Sequence, residues 1–152
     1  MNREIVPAKK EHVEALALTM RQPDVDECWA AAHMAPYEAL QRSVLVSDEP
    51  LTGLADGHVA CIFGVSSLSP LSDDGHPWLL GSDDMDRHAI PLLRGSVRYV
   101  AAAAQRYRTL SNYVDARNVK AVQWVAWLGF TVDEPKPYGI ERLPFHYFHL
   151  EA

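Results

Sequence analysis

The chain has 152 residues, of which 48% are apolar and 22% are charged. This balance is typical of a globular protein with a substantial core, and it excludes a disordered chain. The formal net charge is −6, from 14 basic and 20 acidic side chains. We therefore expect no nucleic-acid partner, because a polyanion binds to a broad basic face.

The sequence has no sign of a membrane segment or of export. No apolar run reaches the length that crosses a bilayer, and residues 1–10 lack the apolar core of a signal peptide. The two cysteines, Cys28 and Cys61, lie in apolar surroundings, which is typical of buried thiols in a reducing compartment. We expect no membrane partner and a protein that works in a cytoplasm, or in something assembled there.

The first third of the chain is predicted to be mainly helical. Residues 4–7 form a short strand, and residues 9–20 carry apolar side chains at the spacing of one helix face. A second helix runs from Asp24, whose carboxylate is expected to cap it, to residue 33. A third covers residues 37–46, and a loop at residues 47–50 ends it.

Three strands and a long helix are predicted next. Residues 51–55 and 58–68 flank the pair Asp56 and Gly57, which is a strong signal for a hairpin turn. Residues 76–81 form a third strand, and a helix follows at about residues 90–107. The buried face of that helix is predicted to consist of Leu93, Val97, Val100, Ala101, Ala104 and Tyr107.

The last part of the chain has the most regular pattern. Residues 110–114 alternate as a strand does, and Asn118 is expected to cap a helix that ends at Gly129. Short strands follow at residues 130–132 and 143–150, separated by a proline-rich turn. The order of elements predicts one α/β (α+β) domain over residues 1–152, with a mixed, mostly antiparallel sheet and helices on both faces.

The helix near the end of the chain also carries a family pattern. Its spacing resembles the strand–helix–strand unit at the end of the GCN5-related N-acetyltransferase (GNAT) fold, through Asn118, Ala121, Trp124, Leu128, Gly129 and Phe130. The resemblance implies that fold and, in an active member, acetyl transfer from acetyl-coenzyme A. A tyrosine in this helix often protonates the departing coenzyme A thiolate in the family. Val125 stands at that position and has no proton to give.

Three segments resemble a narrower group, the GNAT-like internal virion and morphogenesis proteins of short-tailed, T-seven-type bacteriophages. They cover residues 56–67, 77–84 and 110–130. The resemblance implies a role in virion assembly or as an internal virion component. It also implies phage or host proteins as partners, and a location in the host-cell cytoplasm or in the virion. The sequence leaves the oligomeric state open, homo-oligomers included.

The segment that would hold the coenzyme pyrophosphate departs from the family pattern. Residues 82–91 contain no glycine, although glycines let the backbone approach an anion closely. Asp83, Asp84 and Asp86 would repel a pyrophosphate, and Pro91 removes a donor. We interpret the aspartates as charges that favour a helix start, and we predict no metal site there.

The remaining candidate residues flank two strands. The resemblance implies that Trp78, Leu79, Leu80, Ser111, Asn112 and Asn118 would lie at an acyl-donor site between them. Tyr113 is the candidate replacement for the missing acid, and Glu4, Asp115 and Glu141 are either bases or ordinary surface acids. The sequence does not determine whether the two strands diverge.

Two functions follow from these observations, and they leave open a third class, a small-molecule binding module in the same cleft. The first is a phage GNAT-fold protein that binds partners through a surface with Trp29 and Trp127, without efficient acetyl transfer. The alternative is an active acetyl-coenzyme A-dependent N-acyltransferase with an atypical donor site. Acetyl-coenzyme A is the one cofactor that the resemblance implies.

Overall fold

The computed structural model describes residues 2–151, which form a sheet between two layers of helices. In chain order the elements are β1 (Arg3–Pro7), α1 (Lys10–Thr19), α2 (Gln22–Ala32), α3 (Pro36–Leu45), β2 (Ser47–Ala55), β3 (His58–Ser66), β4 (Asp74–Gly81), α4 (Asp83–Arg106), β5 (Thr109–Asp115), α5 (Val119–Trp127), β6 (Thr131–Val132), β7 (Lys136–Tyr138) and β8 (Leu143–Glu151).

The strands lie in the order β1-β2-β3-β4-β5-β8-β6, and β7 pairs with β8. All pairings are antiparallel except the one between β4 and β5. This agrees with the predicted mixed, mostly antiparallel sheet. Within residues 2–151, no helix is both long and apolar enough to cross a membrane.

Alternation along the strands sends apolar side chains into two layers. On one face, Ile62 and Leu80 pack with Leu16 of α1 and Leu40 of α3. On the other face, neighbouring strand residues such as Cys61 pack with buried residues of α4 and α5. Because successive strand side chains point to opposite faces, one short apolar strand supplies both layers.

Two segments of the first half differ from the prediction. The hairpin turn at Asp56 and Gly57 is confirmed, since both residues have positive φ angles, 51° and 80°. However, the predicted loop at residues 47–50 is the start of β2, where Ser47 pairs with Ser66. A pairing irregularity between Asp48 and Leu51 hides the strand pattern in the sequence.

The long helix α4 starts at Asp83, earlier than the sequence suggested. The Ser82 hydroxyl accepts a bond from the Asp84 N–H and so caps the first turn. The backbone leaves helical geometry at His88, with φ −116° and ψ 18°. Pro91 therefore lies just after a break, where its missing N–H disrupts little.

The buried face of α4 is also shifted relative to the prediction. Val97 is 47% exposed, whereas Leu92 and Ser96 are buried. Ser96 tolerates burial because its hydroxyl donates to the Leu93 carbonyl, 2.8 Å away. A pattern based on hydrophobicity alone therefore selected Val97, the apolar neighbour of the buried serine.

The turn between β7 and β8 holds α2 in place. The N–H groups of Ile140 and Glu141 donate to the carbonyls of Ala31 and Ala30, both at 3.1 Å. Gly139 has a φ of +76°, and a Cβ atom there would lie 2.7 Å from the Ala31 Cα. Only glycine allows this approach without displacing the helix.

We predict that Gly139→Ala destabilises the protein more than Gly129→Ala. Gly129 also has a positive φ, +102°, but a Cβ atom there meets nothing within 4 Å. Gly129→Ala should cost roughly 1–2 kcal/mol of unfolding free energy through backbone strain alone. Gly139→Ala should cost about 1–3 kcal/mol more, because its methyl group collides with the α2 backbone.

Urea denaturation of both variants measures this difference. Equal losses would show that the turn moves away from α2 at no cost.

Candidate functional site

The strands β4 and β5 diverge after two pairs of residues. In the described part of the chain they pair only at Asp74 with Thr109 and at Gly75 with Leu110. The Pro77 carbonyl points to β5, where it accepts a bond from Asn112 Nδ2 at 3.0 Å. Proline has no N–H to donate from that edge, so the regular ladder cannot continue.

The divergence opens a cleft through the sheet. On the side of α2 and α3 lies a cavity of about 270 Å³, the α2-side cavity. On the opposite side, beneath α4, lies a cavity of about 280 Å³, the α4-side cavity. Both cavities are lined by the same five apolar side chains at the gap, namely Trp78, Leu79, Val125, Leu128 and Phe148.

Two carboxylates of α2 close the open end of this cleft. Asp24 Oδ2 accepts the N–H of Gly81, the last residue of β4, at 2.8 Å. Glu27 Oε1 accepts the N–H of Asp115, the last residue of β5, at 2.9 Å. We call this pair the carboxylate bridge. Its spacing of three residues places both side chains on one face of the helix.

A buried arginine completes the network around the bridge. Arg21 is 3% exposed and donates from Nη1 to Asp24 Oδ1 at 2.7 Å and to Asn118 Oδ1 at 3.2 Å. Its Nε donates to Asp86 Oδ1 at 3.0 Å, and its guanidinium lies 4.8 Å from the centre of the Trp124 ring. This one side chain therefore joins the starts of α2, α4 and α5.

Two predicted caps take part in this network instead of capping helices. Asn118 precedes α5 as predicted, but its side chain makes no bond to the helix backbone. Its amide donates instead to Asp24 Oδ1 at 2.8 Å and to Glu27 Oε1 at 3.3 Å. Asp24 lies inside the first turn of α2, where its carboxylate faces the sheet. The predicted position of Asn118 before α5 is correct, but neither side chain caps a helix, because both bond to buried partners instead.

Burial changes the protonation of the bridge. Loss of water around Glu27, together with the nearby Asp24 carboxylate, raises the pKa of Glu27 to about 8. Burial also raises the pKa of Asp24, against the opposing effect of Arg21. Glu27 therefore holds its proton at neutral pH. Glu27 was not among the residues that the sequence singled out, although its position three residues after Asp24, on the same helix face, was a usable signal.

Most of the predicted donor-site residues do lie at the cleft. The α2-side cavity is lined by Trp78, Leu79, Leu80, Asn112 and Tyr113. The Ser111 carbonyl lies 2.9 Å from His76 Nδ1, so it spans the first step of the divergence. Asn118 lies at the end of the cleft that the carboxylate bridge closes, and its side chain donates to both Asp24 and Glu27.

The candidate acid, Tyr113, lines the cleft, whereas the three candidate bases do not. Tyr113 is 39% exposed, and its ring stacks on Tyr138 at a centroid distance of 3.8 Å. The candidate bases lie outside both cavities: Glu4 is at the surface, Asp115 pairs with Arg117, and Glu141 pairs with His33. Cys28 does line the α2-side cavity, but burial raises the pKa of its thiol to about 12, so it is not a nucleophile at neutral pH.

The start of α4 offers few donors to an anion. The Ser82 N–H donates to the Ala60 carbonyl, and the Met85 N–H donates to the Ser82 carbonyl. The Asp84 N–H is taken by the Ser82 hydroxyl. Asp84 pairs with Arg87, and Asp86 pairs with Arg21 and Lys120. Across residues 2–151, no group of three or more His, Cys, Asp or Glu side chains is arranged to hold a metal ion.

The fold is that of known acetyltransferases. An N-acetyltransferase from Staphylococcus aureus Mu50 superimposes with a TM-score of 0.73 at 16% identity, over 99% of each chain. A GNAT-family acetyltransferase from Streptococcus pneumoniae matches with a TM-score of 0.67 at 14% identity, also over 99% of each chain.

A spermidine N-acetyltransferase from Vibrio cholerae, solved in complex with CoA and spermine, has a TM-score of 0.71 at 8% identity. That match covers 98% of this chain and 95% of the enzyme. No protein-family model and no curated protein matches the sequence. At these identities the structures establish the GNAT fold, as the spacing around Asn118 and Gly129 predicted, and they do not establish the activity.

We predict that Glu27→Gln removes a loss of stability at high pH. The folded pKa of about 8 exceeds the ordinary value of 4.5, so the folded state binds this proton more tightly than the unfolded state. Stability is therefore lost as the pH rises from about 4.5 to about 8. Glutamine keeps the acceptor for the Asp115 N–H but cannot ionise.

Between pH 5 and pH 9, the variant should gain on the order of 1–4 kcal/mol relative to the native protein. Urea denaturation at several pH values measures this, with the exposed Glu4→Gln as a control that should follow the native curve. Parallel curves for the native protein and Glu27→Gln would contradict the assignment.

Proposed function

We propose that this chain is a phage GNAT-fold protein that acts by binding protein partners, in virion assembly or as an internal virion component, without efficient acetyl transfer. The observation that supports this most directly is the carboxylate bridge, in which Asp24 and Glu27 occupy the terminal N–H groups of both diverging strands. The protein satisfies with its own side chains the donors that surround the open end of the cleft.

The charge at this end argues against a bound diphosphate. Asp24 and Asp86 lie beside the start of α4, and Arg21 is already shared between them. A like charge at about 4 Å costs on the order of 1 kcal/mol in water and several times more at a partly buried site. Lys120 and Arg87 are likewise paired, with Asp86 and Asp84, so these charges support the proposal that the site does not hold the coenzyme of the fold family.

The proton source for acetyl transfer is also missing from its usual place. Val125 lines the gap between the two cavities, at the position where the resemblance implies a tyrosine. A departing thiolate at this point would meet a hydrocarbon side chain. Without a donor, the contribution of general acid catalysis, typically 10²- to 10⁴-fold, is lost.

Two exposed tryptophans support a partner-binding role. Trp29 on α2 is 50% exposed and Trp127 on α5 is 45% exposed. The Trp29 ring stacks on His33 at 4.6 Å, and His33 contacts Glu141, so the indole is held in one orientation. Ordered, exposed tryptophans are typical anchors of protein interfaces. The virion role and the location in the host-cell cytoplasm or virion rest on the three phage-like segments of the sequence.

We predict that the protein does not bind acetyl-coenzyme A at micromolar concentrations. Isothermal titration calorimetry measures this, with an active GNAT enzyme in the same buffer as the positive control. Micromolar binding would contradict the proposal. Mass spectrometry of purified virions of the encoding phage tests the second part, and absence of the protein from both virions and assembly intermediates would contradict it.

One observation favours the alternative, an active N-acyltransferase. Tyr113 lies at the cleft, is accessible and is held by stacking on Tyr138. If it were the acid, Tyr113→Phe would lower the acetyl-transfer rate by about 10²-fold or more. Tyr147→Phe is the matched control, because that ring packs beside Tyr113 at 5.2 Å but does not line the cavity.

Under our proposal, the native protein and both tyrosine variants show the same background rate in an acetyl-transfer assay. A specific loss in Tyr113→Phe would establish the alternative.

A further inference from the structure

A second concave surface lies on the face of α2 that points away from the cleft. It has a volume of about 320 Å³ and lies between α2, residues 34–36 and the residues around the start of β8. We call it the Trp29 groove. Asp26 and Trp29 line this groove, whereas Glu27 and Cys28 line the α2-side cavity. The two sites therefore use different faces of the same helix.

Trp29 gives the groove an aromatic wall. The Trp29 side chain is exposed, and His33 stacks on its ring but does not line the groove. The groove is therefore lined by the part of the indole that His33 leaves uncovered. Such a ring attracts a cation that lies within about 6 Å of its centre.

Two carboxylates in the lining have no basic side chain as a permanent partner. The Asp26 carboxylate accepts a bond from a neutral side-chain amide at 2.8 Å, and Glu141 contacts His33, which is charged only when protonated. Within residues 2–151, neither carboxylate forms an ion pair with a lysine or an arginine. Arg117 also lines the groove, but its guanidinium already donates to both carboxylate oxygens of Asp115. The groove therefore combines an indole with uncompensated negative charge.

The protein already contains one arginine in a setting of this kind. Arg21 lies 4.8 Å from the centre of the Trp124 ring, and its guanidinium donates to Asp24 and Asp86. A planar guanidinium can stack on an indole and donate to carboxylates at the same time, which suits it better than the compact ammonium of lysine. The Trp29 groove offers the same groups, one indole and two carboxylates, to a molecule from outside.

Exposed apolar side chains extend this surface beyond the reach of one cationic group. Tyr37 follows the groove residue Pro36 in the chain, Ile140 precedes the groove residue Glu141, and both are exposed. A free polyamine would leave them in water, whereas a peptide with apolar residues beside its arginine would cover them. The net charge of −6 also favours a partner with a basic segment.

We propose that the Trp29 groove binds a protein partner through an arginine in an exposed, partly apolar segment of that partner. The guanidinium lies against the Trp29 indole and is attracted by the carboxylates of Asp26 and Glu141. This inference rests on the proposed role in binding protein partners, and it adds the chemistry by which a partner is recognised.

The test compares two peptides that differ only in charge. Each is an acetylated and amidated pentapeptide, Leu-Ala-X-Ala-Leu, in which X is arginine or its neutral analogue citrulline. Binding is followed by nuclear magnetic resonance of the ¹⁵N-labelled protein, in which Trp29→Phe identifies the indole signal of Trp29. We expect saturable binding of the arginine peptide with a shift of that signal, and at least fivefold weaker binding of the citrulline peptide. Equal binding of both peptides, or no saturable binding of the arginine peptide, would overturn the proposal.

Charge variants locate the arginine in the groove. Asp26→Asn and Glu141→Gln remove one charge each at almost unchanged size, and each should weaken binding of the arginine peptide by about three- to tenfold. Glu14→Gln removes the same charge from the exposed surface of α1, outside the groove, and should leave binding unchanged. Equal losses in all three variants would show attraction to the net charge alone and would overturn the proposal.

A substitution of the tryptophan tests the aromatic wall. Trp29→Leu keeps an apolar side chain but removes the indole, and it should weaken binding of the arginine peptide at least tenfold. Unchanged affinity would overturn the role of the indole. Asp26→Asn and Glu141→Gln still test the site if Trp29→Leu fails to fold.

Spermidine, a free polyamine, separates a protein partner from a small cation. Binding of spermidine at least as tight as that of the arginine peptide, with the same shift of the Trp29 signal, would overturn the assignment to a protein partner. Failure of the arginine peptide would overturn this inference alone, because coenzyme calorimetry and virion composition test the proposed function separately.

Discussion

The architecture of the cleft depends on one buried positive charge. Arg21 is enclosed by Asp24, Asp86 and Asn118, and the Trp124 ring covers its guanidinium. A buried carboxylate that loses its partner is typically destabilising by about 3–5 kcal/mol. The starts of three helices are therefore held at fixed positions around one side chain, and the closed end of the cleft takes its shape from them.

The same network provides acceptors for backbone N–H groups where β4 and β5 diverge. Each strand that leaves its neighbour exposes backbone N–H groups, and buried N–H groups need acceptors. Asp24 and Glu27 supply those acceptors at the last residue of each strand. Helix α2 therefore supplies, from its own side chains, the hydrogen-bond acceptors that the two strand ends need. Burial of Glu27 at this position disfavours its charged form, and this raises its pKa to about 8.

Local signals predicted the elements whose geometry is decided locally. The turn at Gly57 and the helix end at Gly129 both need positive φ, and both were found from the sequence. The network around Arg21 could not be found this way, because its members lie up to 97 positions apart along the chain. The start of α4 was missed for a different reason. The first turns before the break at His88 are polar, so the sequence pattern indicated a polar loop there and placed the start of the helix after the break.

Because β4 and β5 pair at two positions before they diverge, the sheet consists of two parts that are joined at the start of these strands. One part consists of β1 to β4 and the other of β5 to β8, and within residues 2–151 the backbone bonds between β4 and β5 lie at residues 73–75. At the C-terminal ends of β4 and β5, the gap between the two parts is spanned by two α2 side chains, since Asp24 bonds to Gly81 and Glu27 bonds to Asp115. The separation of the two strand ends therefore depends on the lengths of the side chains at positions 24 and 27.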